Sequence, residues 1–159
     1  MTRFAEILKT LSWGDVEFIL IGGVAAAAHG SARSTQDVDV VYRRNRDNMI
    51  KLAAALEPHR PYLRGVPAGL PFRLDLPTLE GGLNFTLTTA LGWIDLSGEI
   101  PGGGRYEDLI DSSLKINVFG FECFVLDLET LIKTKRAAGR PKDFESLAEL
   151  EVLRKRTSG

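Results

Sequence analysis

One segment constrains the fold of this chain more than any other, the run Asp37-Val38-Asp39-Val40-Val41. Valine favours extended backbone, and side chains at i and i+2 of a strand leave the same face of the sheet. We therefore predict a strand from Asp37 to Tyr42 in which the two carboxylates point to one side. Adjacent anions repel, and a divalent cation such as Mg²⁺, which prefers oxygen ligands, relieves that repulsion. The alternative is a strand end where both acids are simply solvated.

A glycine pair lies upstream, at the end of another predicted strand. The apolar run 16–21 stops at Gly22 and Gly23, and the alanines at 25–28 then predict a short helix. Glycine has no Cβ atom, and the first N–H groups of a helix are free, so a phosphate group can approach such a turn closely. An ordinary turn from strand to helix is the alternative interpretation.

A third carboxylate, Asp95, lies within the apolar run Trp93-Ile94-Asp95-Leu96. A charge in an apolar strand is costly without a partner, so this position implies one. Three carboxylates and a glycine turn are the components of a metal-assisted phosphoryl or nucleotidyl transfer site, because the metal offsets charge that develops on phosphate oxygens.

The remaining pattern predicts a single α/β domain over residues 1–159 (α+β in stricter usage), with a small mixed sheet flanked by helices. Residues 58–82 contain five of the seven prolines, and we expect this stretch to be an irregular lobe. The part from 127 to 159 is expected to be helical. Helices are predicted up to about Leu11, near 49–56, at 106–112, at 128–138 with Asp127 as N-cap, and at about 142–155; further strands are predicted at 84–88 and 93–96, and a hairpin at 115–126.

Composition excludes several classes of function. The net charge of -1 gives no overall field that gathers nucleic acid. No apolar run reaches the roughly 20 residues that a membrane span requires, so we expect no membrane partner. The single cysteine, Cys123, cannot form an internal disulfide and is predicted to be a buried core thiol. With no export signal recognised at the N-terminus, a cytoplasmic location is expected.

A local cationic cluster lies between Lys133 and Lys142. Lys135 shares a helix face with Leu128, Leu131 and Ile132, so it is predicted to point inward. An inward lysine needs an anion, either a phosphate or an aspartate, unless it extends from the end of the apolar stripe to solvent. Arg33 and Arg140 are each either a phosphate ligand or a solvated arginine. Asp143 is interpreted as a residue that stabilises a helix N-terminus. His29 is predicted to be structural.

The spacing of these residues resembles a known signature. Gly22 and Gly23 follow Ile21, Asp37 comes after thirteen intervening residues, and Asp95 lies on a later strand. This arrangement resembles the DNA polymerase β-like nucleotidyltransferase superfamily, especially its small bacterial branches, the minimal nucleotidyltransferases and the abortive-infection toxin-like proteins. The run 131–143 also resembles the helix, turn and K/R-x-x-D of that group. The likeness extends from about residue 16 to residue 153, without 58–82.

The resemblance implies a nucleotidyltransferase fold and a role for each acid. Asp37, Asp39 and Asp95 would hold Mg²⁺ or Mn²⁺, and Asp95 would act on the incoming hydroxyl. Gly22 and Gly23 would cradle the β- and γ-phosphates of a nucleoside triphosphate such as ATP. The implied activity is transfer of a nucleoside monophosphate to a hydroxyl of a protein or an RNA, tRNA included, with a cognate toxin or antitoxin protein as a further expected partner.

One departure from the family pattern concerns the glycine pair. Many members have Gly-Ser where this chain has Gly22-Gly23, so a hydroxyl contact to phosphate is missing unless Ser31, Ser34 or Thr35 provides it. Two other functions therefore stay open: a module that binds nucleotide or a partner protein without turnover, and a metal-dependent phosphohydrolase.

Overall fold

A computed structural model describes residues 1–158 of the chain. Its helices and strands alternate along most of the sequence, and two 3-10 turns, Glu57–His59 and Ile110–Ser112, lie between them. The helices are α1 Phe4–Trp13, α2 Gly22–Ala28, α3 Arg46–Leu56, α4 Leu76–Gly81, α5 Tyr106–Leu109, α6 Leu128–Ala138 and α7 Pro141–Ser158. The strands are β1 Phe18–Ile21, β2 Asp37–Tyr42, β3 Tyr62–Leu63, β4 Asn84–Thr89, β5 Gly92–Ser97, β6 Ser113–Val118 and β7 Phe121–Leu126.

The seven strands form one mixed sheet in the order β3-β4-β5-β2-β1-β7-β6. β2 is central: it runs antiparallel to β1 and parallel to β5. The valines of β2 alternate with its aspartates, and Val38 and Val40 are fully buried, as is Ile94 of β5. This confirms the predicted α/β fold class, since the period-2 pattern sends apolar side chains to the core and acids to the other face.

The helices bury their apolar stripes in two clusters. The main core includes Ile7, Leu8 and Leu11 of α1, which are completely buried. A smaller cluster joins α2 to α6 and α7 through Ala26, Leu128, Ile132, Leu147 and Leu150. Because α2 begins at the glycine pair, this second cluster fixes the cationic α6–α7 region beside the glycine turn.

The proline-rich segment 58–82 has structure of its own. Its short strand β3 pairs antiparallel with β4 at one edge of the sheet, and α4 follows. The N-cap of α4 is Asp75, whose side chain accepts from Thr78 N. The segment expected to be irregular therefore contributes an edge strand and a helix, and it brings the residue after β3 close to β4 and β5.

The first two helices and the buried cysteine are confirmed, the helices with small changes in their bounds. The first helix continues to Trp13, two residues beyond the predicted Leu11, and the second helix begins at Gly22, so that the glycine pair is its first turn. Cys123 is buried, and burial raises the pKa of its thiol to about 11, in keeping with a core thiol.

Among the described residues no helix combines the length and hydropathy that a membrane crossing requires.

Candidate active site

The three predicted carboxylates converge. Parallel pairing places Asp39 of β2 directly beside Asp95 of β5, and Asp37 lies two residues earlier on the same face of β2. One carboxylate oxygen from each of the three lies within 4.8 Å of the other two. Two strands that meet at matched register therefore create the acidic group that the sequence pattern and the family resemblance predict.

Crowding and burial disfavour charge on these acids. Burial raises the pKa of Asp39 to about 8, and a hydrogen bond with Asp95 and the charges of Asp37 and Asp95 act in the same direction. The pKa of Asp37 is also raised, chiefly by burial and then by the charge of Asp95. A bound cation would reverse this preference because an opposite charge within a few ångströms favours the ionised form.

The donor set suits Mg²⁺ or Mn²⁺. All three side chains offer hard carboxylate oxygens, the ligands that these ions prefer. Asp95 Oδ1 is buried and accepts no well-aligned hydrogen bond within the described chain. Its charged neighbour is the Arg64 guanidinium, whose Nη2 lies 2.9 Å away. Because no well-aligned hydrogen bond saturates this oxygen, it can still bind a hard cation together with the other two carboxylates.

The glycine turn is shaped by its neighbours. Gly22 has a φ of +69° and packs against the Asp39 side chain, which leaves no room for a Cβ atom. A Cβ atom on Gly23 would lie 2.6 Å from both Cβ and Oγ1 of Thr35. The Thr35 hydroxyl thus lies beside Gly23, and it contacts Asp37 Oδ1 at 3.3 Å. Of the three hydroxyls that can replace the missing serine, Thr35 is the one packed against the glycine pair.

A cavity of about 630 Å³ opens over the carboxylates. Its walls are the glycine turn, the loop 31–35, β4, β5, and the α6–α7 region. The cationic wall consists of Lys135, Arg140 and Lys142. The predicted carboxylates, glycines, loop residues and cations therefore all line one cavity.

Lys135 points inward, as its helix face predicts. Its side chain is 18% exposed, and its Nζ lies 3.9 Å from Asp143 Oδ1. Burial lowers the pKa of Lys135, and the charges of Asp143 and Asp39 oppose that shift. The lysine therefore already has one anion within the protein and faces the cavity that holds the others.

Asp143 joins the two cationic residues. It is 2% exposed and accepts from Arg140 Nε at 2.8 Å and Nη2 at 3.2 Å, and from the Arg140 N–H at 3.2 Å. The last contact stabilises the first turn of α7, as predicted for Asp143. The Arg140 guanidinium, predicted to bind phosphate, is thus bound to Asp143 at the cavity wall.

Comparisons with known proteins identify the architecture. No protein-family model matches the sequence, and neither does any curated protein. Crystal structures do. The lincosamide adenylyltransferase LnuA with lincomycin is 14% identical, with a TM-score of 0.61 over 95% of this chain and 96% of LnuA. The chain has the nucleotidyltransferase fold.

Two further structures share this nucleotidyltransferase fold. The Thermotoga maritima protein TM1012, a proposed nucleotidyltransferase, is 16% identical, with a TM-score of 0.57 over 94% of each chain. ANT(2")-Ia in complex with adenylyl-2"-tobramycin is 17% identical, with a TM-score of 0.57 over 96% of this chain and 93% of that one. In each of these comparisons the likeness covers nearly the whole chain.

Helix α7 holds the loop that precedes the aspartates. Glu149 accepts from Ser31 Oγ at 2.5 Å and from the Ala32 N–H at 3.1 Å, and Arg33 pairs with Glu145 at 3.2 Å on the surface. Ser34 lines the cavity. Sequence reasoning did not identify Glu149, because nothing in the local pattern of α7 indicates a partner more than a hundred residues away.

His29 Nε2 bonds the Leu126 carbonyl at 2.8 Å, which agrees with its predicted structural role.

Arg64 is a second residue of this site that sequence reasoning missed. It follows β3, and its Nη2 lies 2.9 Å from Asp95 Oδ1 while its Nη1 lies 3.9 Å from Asp37 Oδ2. Arg64 is one of three arginines in this proline- and glycine-rich stretch, and no periodic signal distinguishes it from Arg60 and Arg73. Its position depends on the pairing of β3 with β4, which local sequence does not reveal.

Proposed function

We propose that this protein is a Mg²⁺-dependent nucleotidyltransferase that transfers a nucleoside monophosphate from a nucleoside triphosphate to an acceptor hydroxyl. The observation that carries the proposal is the convergence of Asp37, Asp39 and Asp95 beside the glycine turn. The nucleotidyltransferase fold supports the same reaction class, and the cavity has the size of a typical small-molecule site.

Asp37, Asp39 and Asp95 are the residues that would hold the metal. When bound, Mg²⁺ supplies charge neutralisation at phosphate oxygens and orients the reacting groups. The protein's own contribution is to keep three acids together on a rigid sheet. There, burial and mutual repulsion disfavour the ionised carboxylates unless a cation is present.

Asp95 takes the proton from the acceptor hydroxyl in this mechanism. The hydroxyl oxygen then forms a bond to the α-phosphorus, and the bond from that phosphorus to the bridging oxygen of the β-phosphate breaks. Pyrophosphate leaves with the electron pair of that bond. General-base assistance by a positioned carboxylate typically contributes about 10²- to 10⁴-fold in rate.

The glycine turn and the cationic wall would receive the triphosphate. Gly22 and Gly23 let phosphate approach the first N–H groups of α2, and the Thr35 hydroxyl lies next to them. Lys135 faces the carboxylates from α6 and can offset phosphate charge. Ser34, Arg33 and Arg140 complete the proposed phosphate-binding set, the last through a guanidinium that also binds Asp143.

We favour a small hydroxyl-rich acceptor. The cavity wall formed by β4, β5 and the residues after β5 carries four polar side chains that can bind hydroxyl groups, Asn84, Thr86, Ser97 and Glu99. Two of the structures with the same fold contain small molecules. LnuA contains lincomycin, and ANT(2")-Ia contains adenylyl-2"-tobramycin. The protein or RNA acceptor that the sequence resemblance implies, and with it a toxin–antitoxin partner, is the competing proposal, and the low net charge argues against RNA.

Transfer of a radiolabel tests the proposal. The protein is incubated with Mg²⁺ and each triphosphate labelled at the α-phosphate, together with aminoglycosides, lincosamides, tRNA or a cell extract. Label on a small molecule supports the favoured acceptor, and label on protein or RNA supports the competing one. Tight binding without transfer indicates a binding module, and release of free phosphate from a γ-labelled triphosphate without transfer indicates a phosphohydrolase.

Two double variants make the assay specific. Asp37→Ala with Asp39→Ala removes two proposed metal ligands and should abolish transfer. Asp47→Ala with Asp111→Ala removes two exposed carboxylates away from the cavity and should leave transfer unchanged. Transfer that survives in the first variant would refute the catalytic assignment.

A further inference from the structure

Arg64 is held among the carboxylates by contacts that do not involve them. Its Nη2 donates to the Leu87 carbonyl at 2.6 Å, and its guanidinium lies over the Trp93 ring, 4.6 Å from the centroid. Its backbone N–H donates to the Thr86 carbonyl at 3.0 Å, which continues the β3–β4 ladder. The side chain is only 19% exposed. The cation is therefore fixed by the sheet edge and not drawn in by the acids alone.

This fixed cation faces two of the three acids. Arg64 Nη2 lies 2.9 Å from Asp95 Oδ1, and Nη1 lies 3.9 Å from Asp37 Oδ2. The charge of Lys135 also acts on Asp39, the third acid, but the Lys135 ammonium is itself paired with Asp143 Oδ1 at 3.9 Å. The three carboxylates carry three negative charges when ionised, and Arg64 offsets one of them. The remaining two match a single divalent ion.

We propose that Arg64 takes the place of a second cation beside Asp95, so that the protein without nucleotide binds one divalent ion rather than two. The inference rests on the proposed function, since it concerns the metal that the same carboxylates would hold. A guanidinium a few ångströms from metal ligands repels an incoming cation, so the loss of its charge strengthens metal binding. Arg64 is thus a residue that sets the metal content of the site.

Mn²⁺ titration followed by electron paramagnetic resonance of the free ion tests this directly, with no activity measurement. The wild-type protein should bind one Mn²⁺ per chain in the absence of nucleotide. Arg64→Gln should bind at least about tenfold more tightly and take up a second ion, because the positive charge is gone. Arg64→Lys keeps a positive charge and should behave as the wild type does, which separates charge from packing.

Arg44→Gln is the matched control. Arg44 also donates to a backbone carbonyl, that of Leu79, at 3.0 Å, and lies over an aromatic ring, that of Tyr42, at 5.7 Å, but at the other end of β2. This variant should leave Mn²⁺ binding unchanged. A thermal melt of each variant verifies that it is folded.

The outcomes are distinguishable. Two ions on the wild-type protein, or equal stoichiometry and affinity in wild type and Arg64→Gln, would overturn the role of Arg64 and leave the proposed transferase activity standing. No Mn²⁺ binding by any folded variant would overturn the metal site itself, and with it the proposed function.

Discussion

Gly22 lies so close to Asp39 that a Cβ atom on residue 22 would be 2.8 Å from the Asp39 Cγ atom. The glycine also has a φ of +69°, a conformation that other residues adopt at a cost. The glycine turn and the metal-ligand candidate are therefore one packed unit: residue 22 has no side chain because the carboxylate fills that space.

Gly22→Ala should accordingly damage both stability and metal binding. The left-handed conformation costs roughly 1–2 kcal/mol, and displacement of the Asp39 side chain adds about 1–3 kcal/mol of overpacking. Mn²⁺ affinity should fall by about tenfold or more, since a ligand has to move. Urea unfolding and Mn²⁺ titration measure the two effects.

Gly120→Ala is the control for backbone strain alone. Gly120 has a φ of +89° in the β6–β7 turn, and nothing lies within 4 Å of a Cβ atom there. This variant should lose only the roughly 1–2 kcal/mol of the conformational cost and retain wild-type Mn²⁺ affinity. Equal losses in both variants would mean that the contact with Asp39 is unimportant.

Asp39 should make the metal-free protein less stable as pH rises. Burial and the neighbouring acids raise its folded-state pKa to about 8, whereas the unfolded value is near 4. Between about pH 4 and pH 8 the folded state therefore binds more protons than the unfolded state, and the free energy of unfolding falls with increasing pH. In EDTA, urea unfolding at pH 5, 6, 7 and 8 should show a steeper decline for the wild type than for Asp39→Asn.

Mg²⁺ should counter this decline. A divalent ion binds the ionised carboxylate, so the rise in melting temperature that it causes should be larger at pH 8 than at pH 6. Parallel pH profiles for wild type and Asp39→Asn in EDTA would contradict the assignment of the raised pKa to Asp39.

The parts of the site that the sequence predicts are those with a local pattern. The alternation of Asp37, Val38 and Asp39 fixes which side chains share a face of a strand, and the run at Lys135 fixes an inward helix position, because both depend only on backbone periodicity. The strand-to-helix turn at Gly22 is likewise local. Asp95 is indicated by its lone charge within an apolar strand, and the family resemblance gives it a role in the same acidic group.

The parts that sequence reasoning missed depend on contacts between distant elements. Arg64 reaches Asp95 only because a two-residue strand pairs with β4, and Glu149 reaches Ser31 only because α7 folds back over α2. Neither position has a periodic or compositional signal. The proline- and glycine-rich segment 58–82 therefore supplies a charged residue, Arg64, to the acidic group without any trace in the local pattern.

Thr35 and Gly23 should be energetically coupled. A Cβ atom on residue 23 would lie 2.6 Å from Thr35 Cβ, so Gly23→Ser should cost about 1–3 kcal/mol of stability through overpacking. In a Thr35→Gly background the same serine has room, and its cost should largely disappear. A double-mutant cycle from urea unfolding measures this coupling, and additive losses would show that the two residues do not compete for space.

Asp143 should contribute more to stability than its neighbour Glu145, although both pair with an arginine. Asp143 is 2% exposed and binds Arg140 and Lys135, whereas Glu145 pairs with Arg33 at an exposed position.

We expect Asp143→Asn to lose about 1.5–3 kcal/mol at pH 7 and Glu145→Gln at most about 0.5 kcal/mol. Burial by itself raises the pKa of Asp143, but the hydrogen bond and charge of Arg140 and the charge of Lys135 outweigh it and lower the pKa overall. The stabilisation is therefore present above the unfolded pKa near 4 and is lost as pH falls through the lower folded value. Urea unfolding at pH 7 and pH 3 should show a gap between wild type and Asp143→Asn that narrows in acid, and a gap independent of pH would mean that the carboxylate charge is not its source.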